Sequence, residues 1–151
     1  MSYPDQLKLD NQLCFLLYSA SRSMTRRYRP LLDELGLTYP QYLVMLVLWE
    51  AEGQGLSIGE IGESLMLDTG TLTPLLKRLE QNGLISRVRS LEDERRVDVC
   101  LTKEGLDLRS RAEVVPLKMM CDLEINEDDL AMRDTLMQLL QQLNAKLAGS
   151  E

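Results

Sequence analysis

Apolar residues recur at helical spacing through the first part of the chain. They predict one long helix over residues 7–35, with apolar positions at Leu9, Leu13, Leu16, Leu17, Ala20 and Met24. Pro30 is expected to break or kink this helix, and Gly36 to end the segment that follows. A second helix is predicted from Thr38, as its N-cap, to about residue 51, with Pro40 in the first turn. Its run YLVMLVLW is apolar on nearly every face, which is typical of a central, buried helix.

Two short helices follow, separated by a break at residues 68–70. Ser57 and Glu60 form the pattern of a capping box at the start of the first, whose apolar positions are Ile58, Ile61, Leu65 and Met66. The second helix ends at Asn82 and Gly83, and its apolar side is Leu72, Leu75, Leu76 and Leu79. Pro74 is compatible with this helix only close to the N-terminal end, where a missing N–H costs little.

Alternation replaces helical spacing in the next segment. Residues 84–90 and 97–102 alternate between apolar and polar side chains, and a charged turn separates them, which predicts a two-stranded hairpin. Alternation in the second strand places Val99 toward the core and Cys100 on the other face.

Helical spacing returns after the hairpin. Thr102 is the predicted N-cap of a long helix that reaches about residue 123, with a bend at Pro116. Asn126 caps a last helix to about residue 147, and the apolar stripe of this helix is Leu130, Leu136, Met137, Leu140 and Leu143.

This order of elements predicts a mainly α fold with a small β-hairpin wing, a winged helix-turn-helix. We expect one domain over residues 1–151. A DNA-binding lobe occupies residues 38–102, and the N- and C-terminal helices, residues 7–35 and 103–148, form a dimerisation layer. The alternative is that the terminal helices only close the core of their own domain.

Composition excludes several chemistries. The 151 residues include no His, so Ser-His-Asp and Cys-His catalysis and His-ligated metal sites are excluded. Cys14, Cys100 and Cys121 include no C-x-x-C pair, which argues against a thioredoxin motif or a zinc knuckle. We expect no metal and no cofactor. The sequence also lacks the patterns of a signal peptide or a membrane span, so a reducing, cytoplasmic location is expected.

Charge is distributed unevenly along the chain. The net charge is −7, yet residues 70–96 contain six basic and four acidic side chains. A local positive field suits a phosphate backbone whatever the total charge. The second short helix and the hairpin therefore supply the candidate DNA contacts, Thr71, Thr73, Lys77, Arg78, Arg87, Asp93, Arg95 and Arg96. Arg95 at the hairpin tip suits a narrow minor groove, and Asp93 either holds Arg95 by a salt bridge or only forms the turn.

Three segments resemble a known family. DERRVDVCLTKEG, starting at Asp93, is similar to the wing signature of MarR-type repressors. LDNQLCFLLYSASR and LGLTYPQYLVMLVLWE, starting at Leu9 and Leu35, resemble the organic hydroperoxide sensors of that family, and the likeness covers about residues 7–146. The resemblance implies a homodimeric repressor that binds operator DNA when reduced. It also implies that organic hydroperoxides oxidise Cys14 and thereby release the DNA.

The resemblance also assigns residues around the thiol. Tyr28 and Tyr39 match tyrosines that hydrogen-bond the thiolate, and Tyr18 lies near the same pocket. Tyr18 is one helical turn from Cys14 and shares its face. Tyr28 is 14 residues further along the same predicted helix, about 21 Å, so any contact with Cys14 must come from another subunit.

The fate of the oxidised thiol divides the family. Its two-cysteine class has a second cysteine in the C-terminal region that forms an intersubunit disulfide, and the resemblance implies Cys121 for this role. Cys100 is the other candidate, and Cys121 as an inert apolar filler is the remaining alternative. Cys14 itself could equally be a buried core thiol if the resemblance is set aside.

Two further functions stay open at this point. One is a MarR-type repressor that is relieved by a small phenolic or aromatic ligand, with Cys14 incidental. The other is a thiol peroxidase, which is disfavoured because the chain has no recycling C-x-x-C or His and would leave its DNA-reading elements unused. We therefore expect a regulator rather than an enzyme.

Overall fold

The computed structural model describes residues 3–149. Short helical segments open the chain at α1 (Tyr3–Gln6) and a 3-10 turn (Leu9–Asn11). The long helix α2 and the central helix α3 follow as Leu13–Asp33 and Tyr39–Glu50. The remaining elements, in chain order, are β1 (Leu56–Ser57), α4 (Ile58–Leu65), α5 (Thr69–Gln81), β2 (Ile85–Arg89), β3 (Val97–Leu101), α6 (Lys103–Ala112), α7 (Val114–Asp122) and α8 (Glu127–Ala148).

The predicted helix starts are confirmed by their caps. Side chains of Thr38, Ser57 and Asn126 each accept a hydrogen bond from the backbone N–H three residues on, and each helix closes a reciprocal capping box. Thr102 caps α6 by accepting from the Gly105 N–H. These bonds satisfy N–H groups that no helical carbonyl can reach, so they fix where each helix begins.

The first long helix differs from its prediction at both the start and Pro30. It begins at Leu13 rather than residue 7, because α1 and the 3-10 turn occupy the preceding segment. Pro30 lies inside α2, which continues to Asp33, so the expected break is wrong. Proline removes one helical hydrogen bond, and the burial of Leu32 beyond it holds the last turn against the core. Gly36 follows with a φ of +69°, as the predicted stop requires.

The core is built around α3. Val44, Met45 and Leu48 are buried, together with apolar residues of α4, α5, β2, β3 and α6. The Trp49 indole N–H donates to the Gly105 carbonyl over 2.9 Å, which fixes α6 to α3. A Cβ at position 105 would overlap the carbonyl oxygen of Leu84, so this crossing of α6 past the start of the hairpin requires glycine.

The sheet has three strands rather than the two predicted. β2 and β3 pair antiparallel from Ile85 opposite Leu101 to Arg89 opposite Val97. The two-residue strand β1 adds to the other edge of β3, which gives the order β1-β3-β2. A strand of two residues is too short to show alternation, so its pattern carried no signal.

The segment after the hairpin forms two helices instead of one bent helix. α6 ends at Ala112 and α7 starts at Val114, so the break is at Glu113 and not at Pro116. Pro116 lies in the first turn of α7, where its missing N–H leaves no helical carbonyl unpaired. The predicted last helix is confirmed as α8.

The chain forms two compact units, Met1–Val115 and Pro116–Glu151. The first contains the winged helix-turn-helix elements and the core. In the second, α8 has no buried residue, and its exposed apolar side chains include Met132, Leu136, Met137 and Leu139. No described helix is both long enough and apolar enough to cross a membrane. The expected single domain over residues 1–151, with dimerisation helices at 7–35 and 103–148 around a DNA-binding lobe at 38–102, stays a prediction.

Candidate nucleic-acid interface and thiol site

Helix α5 separates an apolar from a polar face. Leu72, Leu76 and Leu79 are buried, and the carboxylate of Asp68 caps the helix by accepting from the Thr71 N–H over 2.6 Å. The opposite face is exposed and carries the candidate DNA contacts Thr71, Thr73, Lys77 and Arg78. The Thr73 hydroxyl donates to the Thr69 carbonyl, so it keeps its lone pairs for an incoming donor. This face offers hydroxyl groups and two cations to a groove.

Two of the predicted hairpin contacts are ion-paired within the chain. The Arg87 side chain contacts α5, where it donates to the Glu80 carboxylate through Nε at 3.0 Å and Nη2 at 2.6 Å. These hydrogen bonds lower the pKa of Glu80 and raise that of Arg87. Arg96 donates to Asp98 at 2.6 Å and to Glu60 of α4 at 2.9 Å. Arg87 and Arg96 therefore brace the hairpin against the two short helices.

Other cations around this surface make no ion pair with any described carboxylate. They are Lys77, Arg78, Arg89 and Arg95. Sequence reasoning did not single out Arg89, although its position two residues after Arg87 in β2 is a signal that both lie on one face of the strand. These four side chains are free to pair with phosphates.

Asp93 shapes the hairpin tip. Its carboxylate accepts from the backbone N–H of Arg95 over 2.9 Å, and its carbonyl accepts from the N–H of Arg96. The Ser90 hydroxyl accepts from the N–H groups of Glu92 and Asp93. The structure thus shows the turn-forming role of Asp93, with its carboxylate on the backbone instead of the Arg95 guanidinium. That leaves the Arg95 side chain at the tip unrestrained.

Cys14 lies in the first turn of α2 and is exposed. The thiol is thus at the N-terminal end of the long helix. Tyr18, one turn further, is 61% exposed, and the Arg22 guanidinium lies 5.4 Å from the centre of its ring. The alternative of a buried core thiol is excluded in the single chain.

Three tyrosines cluster where α2 meets α3. The ring centres of Tyr28 and Tyr39 are 4.9 Å apart, and that of Tyr42 lies 6.0 Å from Tyr28. Burial raises the pKa of all three phenols, so they stay protonated and can donate hydrogen bonds. Sequence reasoning missed Tyr42, although it follows Tyr39 at helical spacing.

The structure brings Tyr28 and Tyr39 together but keeps Tyr28 away from the thiol of its own chain. Cys14 and Tyr28 both lie in the continuous helix α2, so their separation along its axis is about 21 Å. Tyr18 is the site tyrosine that shares a helix face with Cys14.

The other two thiols have different settings. Cys100, in β3, is partly buried, and a Cβ built at Gly55 would lie 2.9 Å from its Sγ. Cys121, in α7, is exposed. None of the three cysteines is in a disulfide bond within the described chain.

Comparison with known proteins identifies the family. The model of the protein family described as Transcriptional regulator SarA/Rot matches residues 26–111. The organic hydroperoxide resistance transcriptional regulator of Bacillus subtilis is 50% identical over 143 residues, which cover 94% of this chain and 96% of that protein. The chain belongs to the organic hydroperoxide resistance branch of the MarR-type transcriptional regulators.

Solved structures extend the likeness of this regulator to the fold. The crystal structure of AbfR from Staphylococcus epidermidis superimposes with a TM-score of 0.75 at 36% identity, covering 96% of this chain and 97% of AbfR. Reduced AbfR bound to DNA gives 0.71 at 37% identity, covering 92% and 98%. Disulfide-formed AbfR gives 0.61 at 36% identity, covering 91% and 96%. The predicted winged helix-turn-helix fold of the regulator is confirmed.

Proposed function

We propose that this chain is a redox-sensing transcriptional repressor. Its reduced homodimer binds operator DNA, and oxidation of Cys14 by an organic hydroperoxide releases the DNA. The observation that carries this proposal is the exposed Cys14 at the start of α2, in a chain that is 50% identical to a hydroperoxide resistance regulator over nearly its full length. The relative AbfR has been captured both reduced on DNA and with a disulfide formed, which supports a redox switch.

DNA reading is assigned to α5 and the hairpin. Thr71, Thr73, Lys77 and Arg78 face a major groove, and Arg95 enters the neighbouring minor groove. Of the other predicted contacts, Arg87, Arg96 and Asp93 act by holding the hairpin and its tip in place, since their charged groups bond within the chain. Arg89 joins the contacts to phosphate.

The chemistry at Cys14 is a two-electron oxidation. The thiolate attacks the terminal oxygen of the hydroperoxide, the O–O bond breaks, and the alkoxide that leaves takes up a proton to become an alcohol. Cys14 becomes a sulfenic acid. Tyr28 and Tyr39 of the partner subunit donate hydrogen bonds to the thiolate. The contact crosses between subunits because Tyr28 and Cys14 of one chain are about 21 Å apart along α2. Tyr18 borders the thiol within the same chain.

A second thiol then closes a disulfide. Attack of a thiolate on the Cys14 sulfenic acid forms an S–S bond and expels hydroxide, which takes up a proton to become water. Cys121 is assigned this role because it is exposed and lies in the C-terminal region, where the two-cysteine members of the family have their second thiol. Cys100 is partly buried in the wing, which makes it the weaker candidate.

This assignment describes a sensor and not an enzyme. Each protein reacts once per reduction cycle, whereas a thiol peroxidase would turn over peroxide with a thiol reductant. A DNA-binding regulator that must return to the thiol form belongs in the reducing cytoplasm.

The test replaces the reactive sulfur. A duplex with a pseudo-palindromic site is selected from a random library with the reduced protein, and binding is followed by fluorescence anisotropy. Cys14→Ser is expected to bind this duplex like the unmodified protein and to stay bound when cumene hydroperoxide is added. Release of DNA by Cys14→Ser after peroxide would overturn the redox proposal and favour relief by a ligand.

A heterodimer tests the contact between subunits. One subunit carries Cys14→Ser and the other carries Tyr28→Phe, so the remaining Cys14 shares its chain with the phenylalanine. If the contact crosses between subunits, this thiol still meets an intact tyrosine and is oxidised at the unmodified rate. Oxidation at the slower rate of a Tyr28→Phe homodimer would place the contact within one chain. Tyr42→Phe is the matched control, since it removes a hydroxyl from the same cluster.

A further inference from the structure

A leucine lies fully exposed at the hairpin tip, residues 90–96, which joins β2 to β3. This residue is Leu91, whereas Val88 in β2 is half-exposed. A single exposed apolar side chain is ordinary on a protein surface, so its surroundings decide what it can do. The surroundings of Leu91 are a backbone fixed by hydrogen bonds and a set of charges that belong to the DNA-reading surface.

Hydrogen bonds hold the hairpin tip in one shape. The Ser90 N–H donates to the Arg96 carbonyl over 2.8 Å. The Asp93 carboxylate accepts from the Arg95 N–H over 2.9 Å. The register of β2 on β3 continues through the bond between Ser90 and Arg96, so Leu91 and Arg95 are the next residues outward on the two sides of the hairpin. A tip held in this way presents Leu91 to a partner with little further loss of conformational entropy.

The charges of the hairpin tip do not attract phosphates as a group. Glu92, Asp93 and Glu94 directly precede Arg95 in the sequence. The next residue, Arg96, is paired with carboxylates of β3 and α4. A DNA backbone therefore attracts Arg95 and repels the acids beside it. The net contribution of the tip to binding must come from short-range contacts inside a groove, and contacts of that kind depend on the bases.

The minor groove offers a surface that suits a leucine at some base pairs and not at others. An A·T pair presents only hydrogen-bond acceptors there, whereas a G·C pair adds the N2 amino group of guanine. An apolar side chain placed over that amino group would compete for its space and leave a buried N–H donor without a partner. A leucine in the minor groove thus discriminates against guanine.

We propose that Leu91 is a specificity-determining residue of the wing, which packs in the minor groove against A·T pairs beside the Arg95 side chain. The inference rests on the proposed function, in which Arg95 enters that groove. Arg95 supplies the attraction to a narrow, electronegative groove, and Leu91 rejects guanine within it. Because Leu91 carries no charge, it acts on the choice of sequence and not on the salt dependence of binding.

The experiment adds one amino group to the minor groove. In a duplex selected from a random library by the reduced protein, single adenines are replaced, one position at a time, by 2,6-diaminopurine, which keeps the major-groove edge of adenine. Affinity is measured by fluorescence anisotropy at several salt concentrations. At the positions under Leu91 we expect the replacement to weaken binding by the unmodified protein on the order of tenfold, as the loss of one buried leucine contact does. The same replacement is expected to have little effect on Leu91→Ala.

Leu91→Ala itself is expected to bind the selected duplex on the order of tenfold more weakly than the unmodified protein. Its slope of log affinity against log salt and its midpoint in urea should not change, since the side chain is uncharged and fully exposed. Leu91→Met keeps an apolar side chain of similar volume and is expected to keep the discrimination.

Val88→Ala is the matched control. Val88 is an exposed apolar residue of the same hairpin, but alternation along β2 places it on the face opposite to Arg87 and Arg89. This variant is expected to bind and discriminate like the unmodified protein.

Three results would overturn the inference. Equal diaminopurine penalties in Leu91→Ala and in the unmodified protein, at every position, remove Leu91 from the groove. A lower urea midpoint in Leu91→Ala, with affinity lost equally for all duplexes, makes it a residue that only shapes the hairpin. Association of the reduced protein beyond a dimer in sedimentation, abolished by Leu91→Ala, makes it a contact between copies. If the unmodified reduced protein selects no duplex, the proposed function itself fails, which is a separate outcome.

Discussion

Glu60 and Glu80 have the same side chain and lowered pKa values for different reasons. The pKa of Glu60 is lowered mainly by hydrogen bonding to Ser57, whose backbone N–H donates to the Glu60 carboxylate, and less by Arg96. For Glu80 the side chain of Arg87 is the main cause. The first arrangement is a helix cap that the local sequence dictates, and the second is a tertiary contact between α5 and β2.

These causes predict that the two pKa values respond differently when the arginine is removed. Side-chain carboxyl titration by NMR is expected to place both glutamates below the ordinary pKa of 4.5. Arg87→Met should return Glu80 close to 4.5, whereas Arg96→Met should leave Glu60 well below it. A lowered pKa means that each interaction stabilises the fold above the ordinary value and is lost as the pH falls through the lowered one. A Glu60 midpoint at 4.5 in Arg96→Met would contradict the capping explanation.

Sequence reasoning located caps but not ion pairs. Thr38, Ser57 and Asn126 bond to residues three positions away, so the information lies within one turn. Arg96 and Glu60 are 36 residues apart, and their contact depends on how the hairpin packs on α4. A charge count cannot show which arginines the fold neutralises, so it did not separate Arg87 and Arg96, which form ion pairs, from Arg89, which forms none with a described carboxylate.

Local sequence signals explain where the predicted helix boundaries succeeded and where they failed. Caps and glycine stops gave the ends of α3, α5 and α8, since these signals are local. The break between α6 and α7 at Glu113 has no such signal, and Pro116 pointed to the wrong residue because proline suits the first turn of a new helix.

The close approach of Gly105 to the backbone of Leu84 gives a prediction about stability. Gly105→Ala places a methyl group against the backbone carbonyl of Leu84, which cannot rotate away. We expect a loss of about 1–3 kcal/mol in the free energy of unfolding, the usual cost of forced overpacking. Urea denaturation followed by Trp49 fluorescence measures it, because the Trp49 indole bonds to the Gly105 carbonyl. Gly59→Ala is the control, since its nearest heavy atom is 3.9 Å away; an equal loss there would remove the steric explanation.

The hairpin gives a prediction about DNA binding. Arg95 makes no ion pair with a described residue, whereas Arg87 is held by Glu80. Arg95→Met is therefore expected to lower the slope of log affinity against log salt by about 1, as the loss of one phosphate contact does. Arg87→Met should weaken binding without changing the slope, because it only loosens the hairpin. Equal changes in slope for the two variants would place both arginines on the DNA.

The sequence of one chain predicts the dimeric arrangement only in part. Helix length alone showed that Tyr28 cannot contact Cys14 of its own chain, because both lie on α2. The exposed apolar residues of α8 agree with the expected dimerisation role.

Oxidation of the dimer gives the last prediction. A disulfide requires Cα atoms within about 7 Å, so a Cys14–Cys121 bond between subunits constrains the helices that carry both thiols. Such a constraint would reorient the DNA-reading elements of the two subunits, which would account for release of the DNA. Peroxide is expected to produce a covalent dimer on a non-reducing gel, which is lost in Cys14→Ser and in Cys121→Ser and kept in Cys100→Ser. A band that persists in Cys121→Ser and vanishes in Cys100→Ser would move the second thiol to the wing. If no covalent dimer forms while DNA is still released, the sulfenic acid alone is the signal and Cys121 has no part in the switch.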